Sequence, residues 1–170
     1  MPAAARAEPA PDLAFGAYQR GLYLTALREA AARLDRNPGD APAMTLMGEI
    51  YNQGLGVPMD PTRAAGWYQL AARAGDPHAL ASLGLMALDG RGMEKNQAQG
   101  RAFLEQAAAK GEPSACYNLA LILLTSSAEA DLKRAAELLR KGAEAEISDA
   151  QHALGVLYLR GRGVAKDPSE

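Results

Sequence analysis

The stretch Asn52–Pro61, NQGLGVPMDP, occurs three times in related form along the 170-residue chain. It returns as LDGRGMEKNQ from Leu88 and as LRGRGVAKDP from Leu159. Each copy contains Gly-x-Gly and a following apolar residue, and each interrupts alanine-rich segments whose apolar residues have helical spacing. A loop motif that recurs between helices predicts a chain built from copies of one helical unit.

The spacing of equivalent residues gives the length of that unit. Gly48 and Gly84 are 36 residues apart, and further steps of 36 and 35 residues lead to Ala120 and Gly155. A period of this size is typical of a solenoid of helical hairpins. Four copies of the unit begin at Ala43, Ala79, Ala115 and Ala150.

Each copy combines a first helix, the loop and a second helix. The small residue of the first helix (Gly48, Gly84, Ala120, Gly155) lies beside its apolar stripe, and a glycine inside a helix costs about 1 kcal/mol relative to alanine. Its recurrence therefore predicts close contact with another helix. The third copy, with LLTSSAEAD, has lost both loop glycines and one residue.

Helix starts are indicated by a capping acceptor followed by proline. Asp60–Pro61, Asp76–Pro77 and Asp167–Pro168 have this signal, and Glu112–Pro113 is a weaker version because glutamate is a poorer cap. The glycines of each Gly-x-Gly are expected to adopt positive φ at the end of the first helix.

Two segments precede the repeats. Residues 12–40 are predicted to form a capping helical hairpin, with Gly21 and Tyr23 at the turn and Ala26 at a close contact. Residues 1–11 are predicted to be a disordered tail. Its segment ARAEPAP, Ala5–Pro11, is either the remnant of a signal-cleavage site or a start added during cloning.

The full pattern resembles the Sel-one-like repeat (SLR) family, which is related to the tetratricopeptide repeat. The residues that carry the resemblance are Ala43, Met47, Gly48, Tyr51, Gly54, Gly56, Val57, Asp60, Ala64, Trp67, Tyr68, Ala71, Ala72, Gly75 and Asp76. The resemblance implies an all-α fold, a right-handed α–α superhelix of about nine helices. Residues 41–170 would form the SLR solenoid, with the last repeat truncated, and residues 12–40 are similar to a tetratricopeptide unit.

Composition excludes several function classes. The net charge of −2 and the absence of a polybasic run argue against nucleic-acid or anionic-membrane binding. No apolar segment reaches the roughly 18 to 20 residues needed to insert across a bilayer. The single cysteine, Cys116, allows no intramolecular disulfide framework and is predicted to be a buried structural thiol.

The pattern predicts no catalytic, metal or cofactor site, and hence no enzyme. His78 and His152 occupy non-equivalent positions and are expected to be exposed or to line a groove. Glu49, Asp89 and Glu112 also fall at different places in their repeats, so no acid/base pair emerges. The Gly-x-Gly loops follow no strand and precede no Lys-Ser/Thr, which argues against phosphate binding.

The first helices are expected to line the concave side of the solenoid and to bind a partner protein or peptide. The predicted site consists of Thr45, Glu49, Asn52, Leu85, Asp89, Tyr117, Asn118, Leu121, His152, Val156 and Arg160. Gln53, Ala81, Leu88, Leu124, Thr125 and Leu159 are expected on the same face. Tyr117 is the predicted anchor, and the alternative is that some of the leucines pack between repeats.

We therefore predict a non-enzymatic interaction scaffold or adaptor. The resemblance implies roles in signalling and in bacterial envelope regulation, and the alanine-rich start favours a periplasmic or secreted protein over a cytoplasmic one. One alternative is a cell-wall-directed hydrolase or β-lactam-binding protein, although the paired cysteines of such family members are missing. Another is an immunity-type protein that blocks a toxin.

The last residues, RGRGVAKDPSE, supply a loop and only the first residues of a second helix. This predicts a fragment of a longer chain. The face bearing Leu154, Leu157 and Tyr158 would then be incompletely covered, and we expect it to fray or to pair with another copy of the chain.

Overall fold

The computed structural model describes residues 12–166, and these residues form nine α-helices and no strand. The all-α prediction is confirmed. The predicted tail of residues 1–11 and the start signal at Asp167–Pro168 lie outside the described residues. The helices are α1 (Leu13–Gln19), α2 (Tyr23–Arg36), α3 (Ala41–Gln53), α4 (Pro61–Arg73), α5 (Pro77–Asp89), α6 (Gln97–Ala109), α7 (Pro113–Leu123), α8 (Glu129–Glu144) and α9 (Ser148–Arg160).

The helices form successive antiparallel hairpins. Each helix packs against its neighbours in the chain, and the first helices α5 and α7 also touch directly. The core runs continuously through the stack, because Ala72 and Phe103 contact both its N-terminal and its C-terminal part. None of the described helices combines the length and the apolar character required to cross a bilayer.

Residues of the predicted capping hairpin form α1 and α2. Gly21 at their turn has φ 74°, and Ala26 is fully buried. The Arg33 side chain connects this hairpin to the next by donating to Asp12 at 2.6 Å and to Asp40 at 2.8 Å. The division of the chain into a cap and a solenoid stays a prediction.

Aspartate side chains cap α4 and α5 as the sequence predicts. Asp60 Oδ1 accepts a hydrogen bond from the Arg63 amide at 2.9 Å, and Asp76 Oδ1 accepts one from the Ala79 amide at the same distance. Glu112 makes no such bond to the start of α7. The weaker start signal at that position is confirmed, and the Glu112 carboxylate accepts a hydrogen bond from the Ser114 hydroxyl instead.

The two glycines of each loop have different roles. In the first loop, Gly54 (φ 70°) ends α3 and Gly56 has φ 72°. The second glycine of later loops lies directly on the preceding second helix: a β-carbon at Gly92 would overlap the carbonyl of Pro61, and one at Gly163 would overlap that of Leu132. Gly-x-Gly therefore both reverses the chain and allows adjacent hairpins to stack.

The small residues inside the first helices give close helix contacts, as predicted, at two of the glycine positions. A β-carbon at Gly48 would lie 2.6 Å from Tyr68 Cε1, and one at Gly84 would lie 2.8 Å from Leu104 Cγ. At Gly155 no described atom lies within 4 Å of a β-carbon position, so close contact there stays a prediction. The reason is that each contact is made by the second helix of the same hairpin, and residues 12–166 include no second helix after α9.

We expect Gly84→Leu to lower the free energy of unfolding by about 1–3 kcal/mol, because the added side chain overlaps Leu104 in the packed core. Gly155→Leu is the matched control, since it makes the same change in a first helix where space is open. Thermal or urea unfolding of both variants checks this. Equal stability of Gly84→Leu and the unmodified chain would contradict the packing argument.

The turn between α8 and α9 contains a residue with a strained backbone. Glu146 has φ 62° and is the only non-glycine with positive φ among residues 12–166. The corresponding turns after α4 and α6 have glycines at this place, Gly75 (φ 95°) and Gly111 (φ 84°). The left-handed conformation costs an L-residue with a β-carbon roughly 1–2 kcal/mol.

Glu146→Gly is therefore expected to stabilise the chain by about 0.5–1 kcal/mol, because the relief of strain exceeds the larger backbone entropy that glycine loses on folding. Glu144→Gly, two residues earlier at the end of α8, should destabilise it, since glycine is a poor helix former. The measurement is the unfolding midpoint in urea. A lower midpoint for Glu146→Gly would show that the turn is not strained.

Candidate protein-binding groove

We call the surface presented by the first helices of the hairpins (α1, α3, α5, α7 and α9) the first-helix groove. At its N-terminal end is a pocket of about 370 Å³ between α1, α3 and the start of α5. No residue of a second helix lines it. The lining residues are Phe15, Tyr18, Pro42, Thr45, Leu46, Glu49, Asp76 and His78.

The structure places two of the eleven predicted site residues, Thr45 and Glu49, in this pocket. The other nine lie on the successive first helices α3, α5, α7 and α9 and do not line it. Four of them are exposed: Asp89, Leu121, His152 and Arg160. Five are half-buried: Asn52, Leu85, Tyr117, Asn118 and Val156. Their part in binding stays a prediction.

Part of the predicted apolar surface belongs to the core instead. Ala81 is only 2% exposed, so its assignment to the groove is wrong. Leu88 is half-buried and packs on α6, where a β-carbon at Gly100 would be 2.7 Å from Leu88 Cγ. Tyr117 is also partly packed against the C-terminal core. By contrast, Leu121 is 40% exposed and remains available on the surface.

Glu49 is held in place within the pocket by a buried tyrosine. The Tyr68 hydroxyl on α4 donates to Glu49 Oε2 at 2.7 Å, and the Gln53 amide donates to Oε1. Tyr68 reaches across α3 because Gly48 has no side chain in its path. Burial, together with the hydrogen bond to Glu49, raises the pKa of Tyr68 above its ordinary value, so the phenol stays protonated and remains a donor.

Thr45 lies one turn before Glu49 on α3. Its Oγ1 atom is buried and has no hydrogen-bond partner among the described residues. A buried hydroxyl without a partner typically costs about 1–3 kcal/mol. The Thr45 hydroxyl therefore makes no hydrogen bond to any described residue.

Two aromatic side chains of α1 form one wall of the pocket. The rings of Phe15 and Tyr18 are nearly parallel, at 14°, with centroids 6.4 Å apart, and Phe15 is 50% exposed. The sequence analysis missed both residues because it treated α1 only as part of a cap. Their spacing of three residues places them on one helix face, and this spacing could have identified them from the sequence.

His78 and Glu112 form an ion pair between adjacent repeats. His78 Nδ1 lies 3.7 Å from Glu112 Oε1, which is longer than a hydrogen bond. The Glu112 carboxylate raises the pKa of His78, and His78 in turn lowers the pKa of Glu112. Sequence spacing did not predict this pair, because the two residues differ in repeat position. They meet because the N-termini of α5 and α7 are adjacent.

The remaining metal-ligating and nucleophilic side chains of the described residues are not grouped into a catalytic or metal site. No cluster of three or more His, Cys, Asp or Glu side chains suited to a metal ion occurs between residues 12 and 166. Cys116 is 1% exposed, and burial raises the pKa of its thiol. The prediction of a buried structural thiol is confirmed.

We expect the His78 imidazole to titrate above its ordinary pKa of 6.5, because the protonated ring is paired with Glu112. The pair stabilises the fold fully between the ordinary pKa of Glu112, 4.5, and that of His78, 6.5. This stabilisation is lost as the pH rises through the folded pKa of His78, or falls through that of Glu112. Glu112→Gln should lower the His78 pKa.

Proton NMR titration of the imidazole measures this shift. Glu105→Gln is the control, because Glu105 lies on α6 and contacts Arg101 and Arg134. A His78 pKa that Glu112→Gln leaves unchanged would show that the two groups do not interact in solution.

A stack of antiparallel helical hairpins of similar length defines a helical repeat superhelix. The sequence pattern of the Sel1 repeat matches residues 41–76, 77–112, 113–146 and 148–170. The chain therefore belongs to the Sel1 repeat family, as its loop and helix motifs predict. Sel1 repeat proteins are generally protein-interaction scaffolds.

Two solved structures share this architecture. A Sel1 repeat protein from Oxalobacter formigenes is 27% identical over 91% of this chain, with a TM-score of 0.75. The protective antigen c5321 of uropathogenic Escherichia coli, which has an SLR fold, is 24% identical over 91%, with a TM-score of 0.72. This chain spans 63% and 35% of their respective lengths. A comparison with curated proteins finds no match.

Proposed function

We propose that the chain is a non-catalytic scaffold that binds an extended segment of a partner protein along the first-helix groove. The observation that carries this proposal is the pocket of about 370 Å³ formed by three successive first helices. Its volume falls in the range of ligand sites, and its walls are mostly apolar with a few polar groups.

An exposed apolar side chain continues along the same face. Leu121 on α7, which has the repeat position of Glu49, is 40% exposed. Exposed apolar groups aligned with a pocket are typical of partner surfaces. A segment that entered the pocket with one side chain would meet Leu121 two repeats later, so several repeats would share the binding energy.

The arrangement around His78 favours binding over catalysis. The Ser114 hydroxyl donates to Glu112 Oε1 at 2.8 Å, and His78 approaches the same oxygen. A serine nucleophile requires the imidazole between the hydroxyl and the carboxylate. Here the carboxylate lies between the two, so His78 is not placed to accept the serine proton. This is our reason for preferring a scaffold to a hydrolase.

We further propose an envelope setting, which rests on the small, proline-flanked residues 5–11 and on the resemblance to envelope adaptors. Cell fractionation with an antibody against the chain tests this setting. Recovery in the cytoplasmic fraction alone would contradict it without affecting the binding proposal.

The binding proposal is tested with dodecapeptides selected from a random display library on the immobilised full chain. We expect Leu121→Asp to weaken the binding of selected peptides by at least about 2 kcal/mol, because an interface anchor is replaced by a charge. The measurement is the Kd by fluorescence anisotropy, with thermal unfolding as a check on the fold.

Leu70→Asp is the matched control, since Leu70 is exposed to a similar extent, 43%, but lies on the second helix α4. Its affinity should be unchanged. Peptides that bind Leu121→Asp as tightly as the unmodified chain, or that lose affinity equally with Leu70→Asp, would contradict a first-helix binding face.

A further inference from the structure

The pocket at the N-terminal end of the groove has walls of two chemical kinds. Its aromatic side is formed by Phe15 and Tyr18, whose rings lie nearly parallel at 14°. Leu46, only 8% exposed, adds apolar surface. A planar group can stack on such a wall, and Phe15 is exposed enough, at 50%, to receive it.

The other side of the pocket supplies hydrogen-bond acceptors. Glu49 accepts from Tyr68 and Gln53, and its carboxylate has room for further donors, because two oxygens together offer about four acceptor positions. Thr45 Oγ1 is buried and unpartnered one turn away. Asp76 uses Oδ1 for the Ala79 amide, which leaves its second oxygen.

The charge of the lining is negative. Glu49 and Asp76 both line the pocket, and none of its lining residues is lysine or arginine. His78 is the one basic group there, and it is paired with Glu112. The structure therefore offers a cationic ligand two carboxylates without a competing lysine or arginine in the lining.

We propose that this pocket binds an arginine side chain of the partner segment, an inference that rests on the proposed scaffold function. A guanidinium is planar, stacks on aromatic rings and carries five N–H donors, which match the Phe15–Tyr18 wall and the remaining acceptor positions of Glu49 and Asp76. A lysine ammonium would satisfy the charge but could not stack as a plane. Leucine would use none of these acceptor positions.

The direct probe is N-acetyl-arginine amide, titrated into the ¹⁵N-labelled full chain and followed by NMR. We expect saturable shifts at the amides of Phe15, Thr45 and Glu49. N-acetyl-citrulline amide is the matched control, because it has nearly the same shape without the charge, and it should bind at least tenfold more weakly. Equal binding of the two compounds, or no saturable shift in the pocket with the arginine compound, overturns the proposal.

Two variants separate recognition from structure. Glu49→Gln, which can still accept the Tyr68 hydrogen bond, and Phe15→Ala, which removes a half-exposed ring, should each weaken the arginine compound at least tenfold. Glu137→Gln on α8 is the control and should bind normally. Variants that stay folded and bind as tightly as the unmodified chain overturn the proposal.

The selected dodecapeptides distinguish this inference from the scaffold proposal. If arginine is enriched among them, replacing it with citrulline should weaken binding at least tenfold to the unmodified chain and far less to Glu49→Gln. Peptides that depend on Leu121 but tolerate citrulline would overturn the arginine pocket and leave the scaffold function standing. Binding of the arginine compound in the pocket, with no dependence of any peptide on Leu121, would support the pocket and contradict the groove.

Discussion

The close approach of the two helices in the α3–α4 and α5–α6 hairpins, at one glycine of each first helix, is the constraint on which the rest of the structure depends. At Gly48 this contact brings the Tyr68 ring within 2.6 Å of where a β-carbon would be. The same ring then delivers its hydroxyl to Glu49 on the groove side. A packing requirement of the repeat therefore fixes the orientation of a polar group in the pocket. At Gly84 the equivalent contact is made by Leu104, which has no polar atom, so the second repeat keeps the packing but cannot position an acceptor in the same way.

Stacking between hairpins depends on a second set of small residues, and here the third repeat differs from the others. Gly92 and Gly163 lie against the carbonyls of Pro61 and Leu132, at the beginnings of the preceding second helices. The loop after α7 has no such glycine: α7 ends at Leu123, and Leu124 has right-handed geometry at φ −67°. The stack continues nevertheless, because α7 packs against α6 and also touches α5. One missing loop contact is thus tolerated where helix-to-helix contacts remain.

The sequence predicted those features that depend on local chemistry or on the repeat period. Capping by Asp60 and Asp76, positive φ at Gly54 and the contact at Gly84 all follow from residue type and position. Contacts between residues of different helical hairpins could not be predicted from residue type or repeat position. Phe15 and Tyr18 join Thr45 and Glu49 only when α1 packs beside α3, and His78 meets Glu112 only when α5 and α7 begin side by side. Alignment with a related geometry also misplaced Ala81, because its small side chain lets the core close over it.

The groove positions differ among repeats because the fold does not constrain them. The position three residues before the small helix residue is occupied by Thr45, Ala81, Tyr117 and His152 in successive repeats, and of these Ala81 is buried in the core. The small position itself holds only Gly48, Gly84, Ala120 and Gly155. Packing limits the second set to glycine and alanine, since a larger side chain would meet the second helix. It leaves the first set open to polar, apolar, aromatic or basic side chains. We therefore expect partner specificity to depend on the positions that differ among the repeats. The N-terminal pocket is the clearest case, because α1 supplies an aromatic wall and α3 supplies the Glu49 carboxylate.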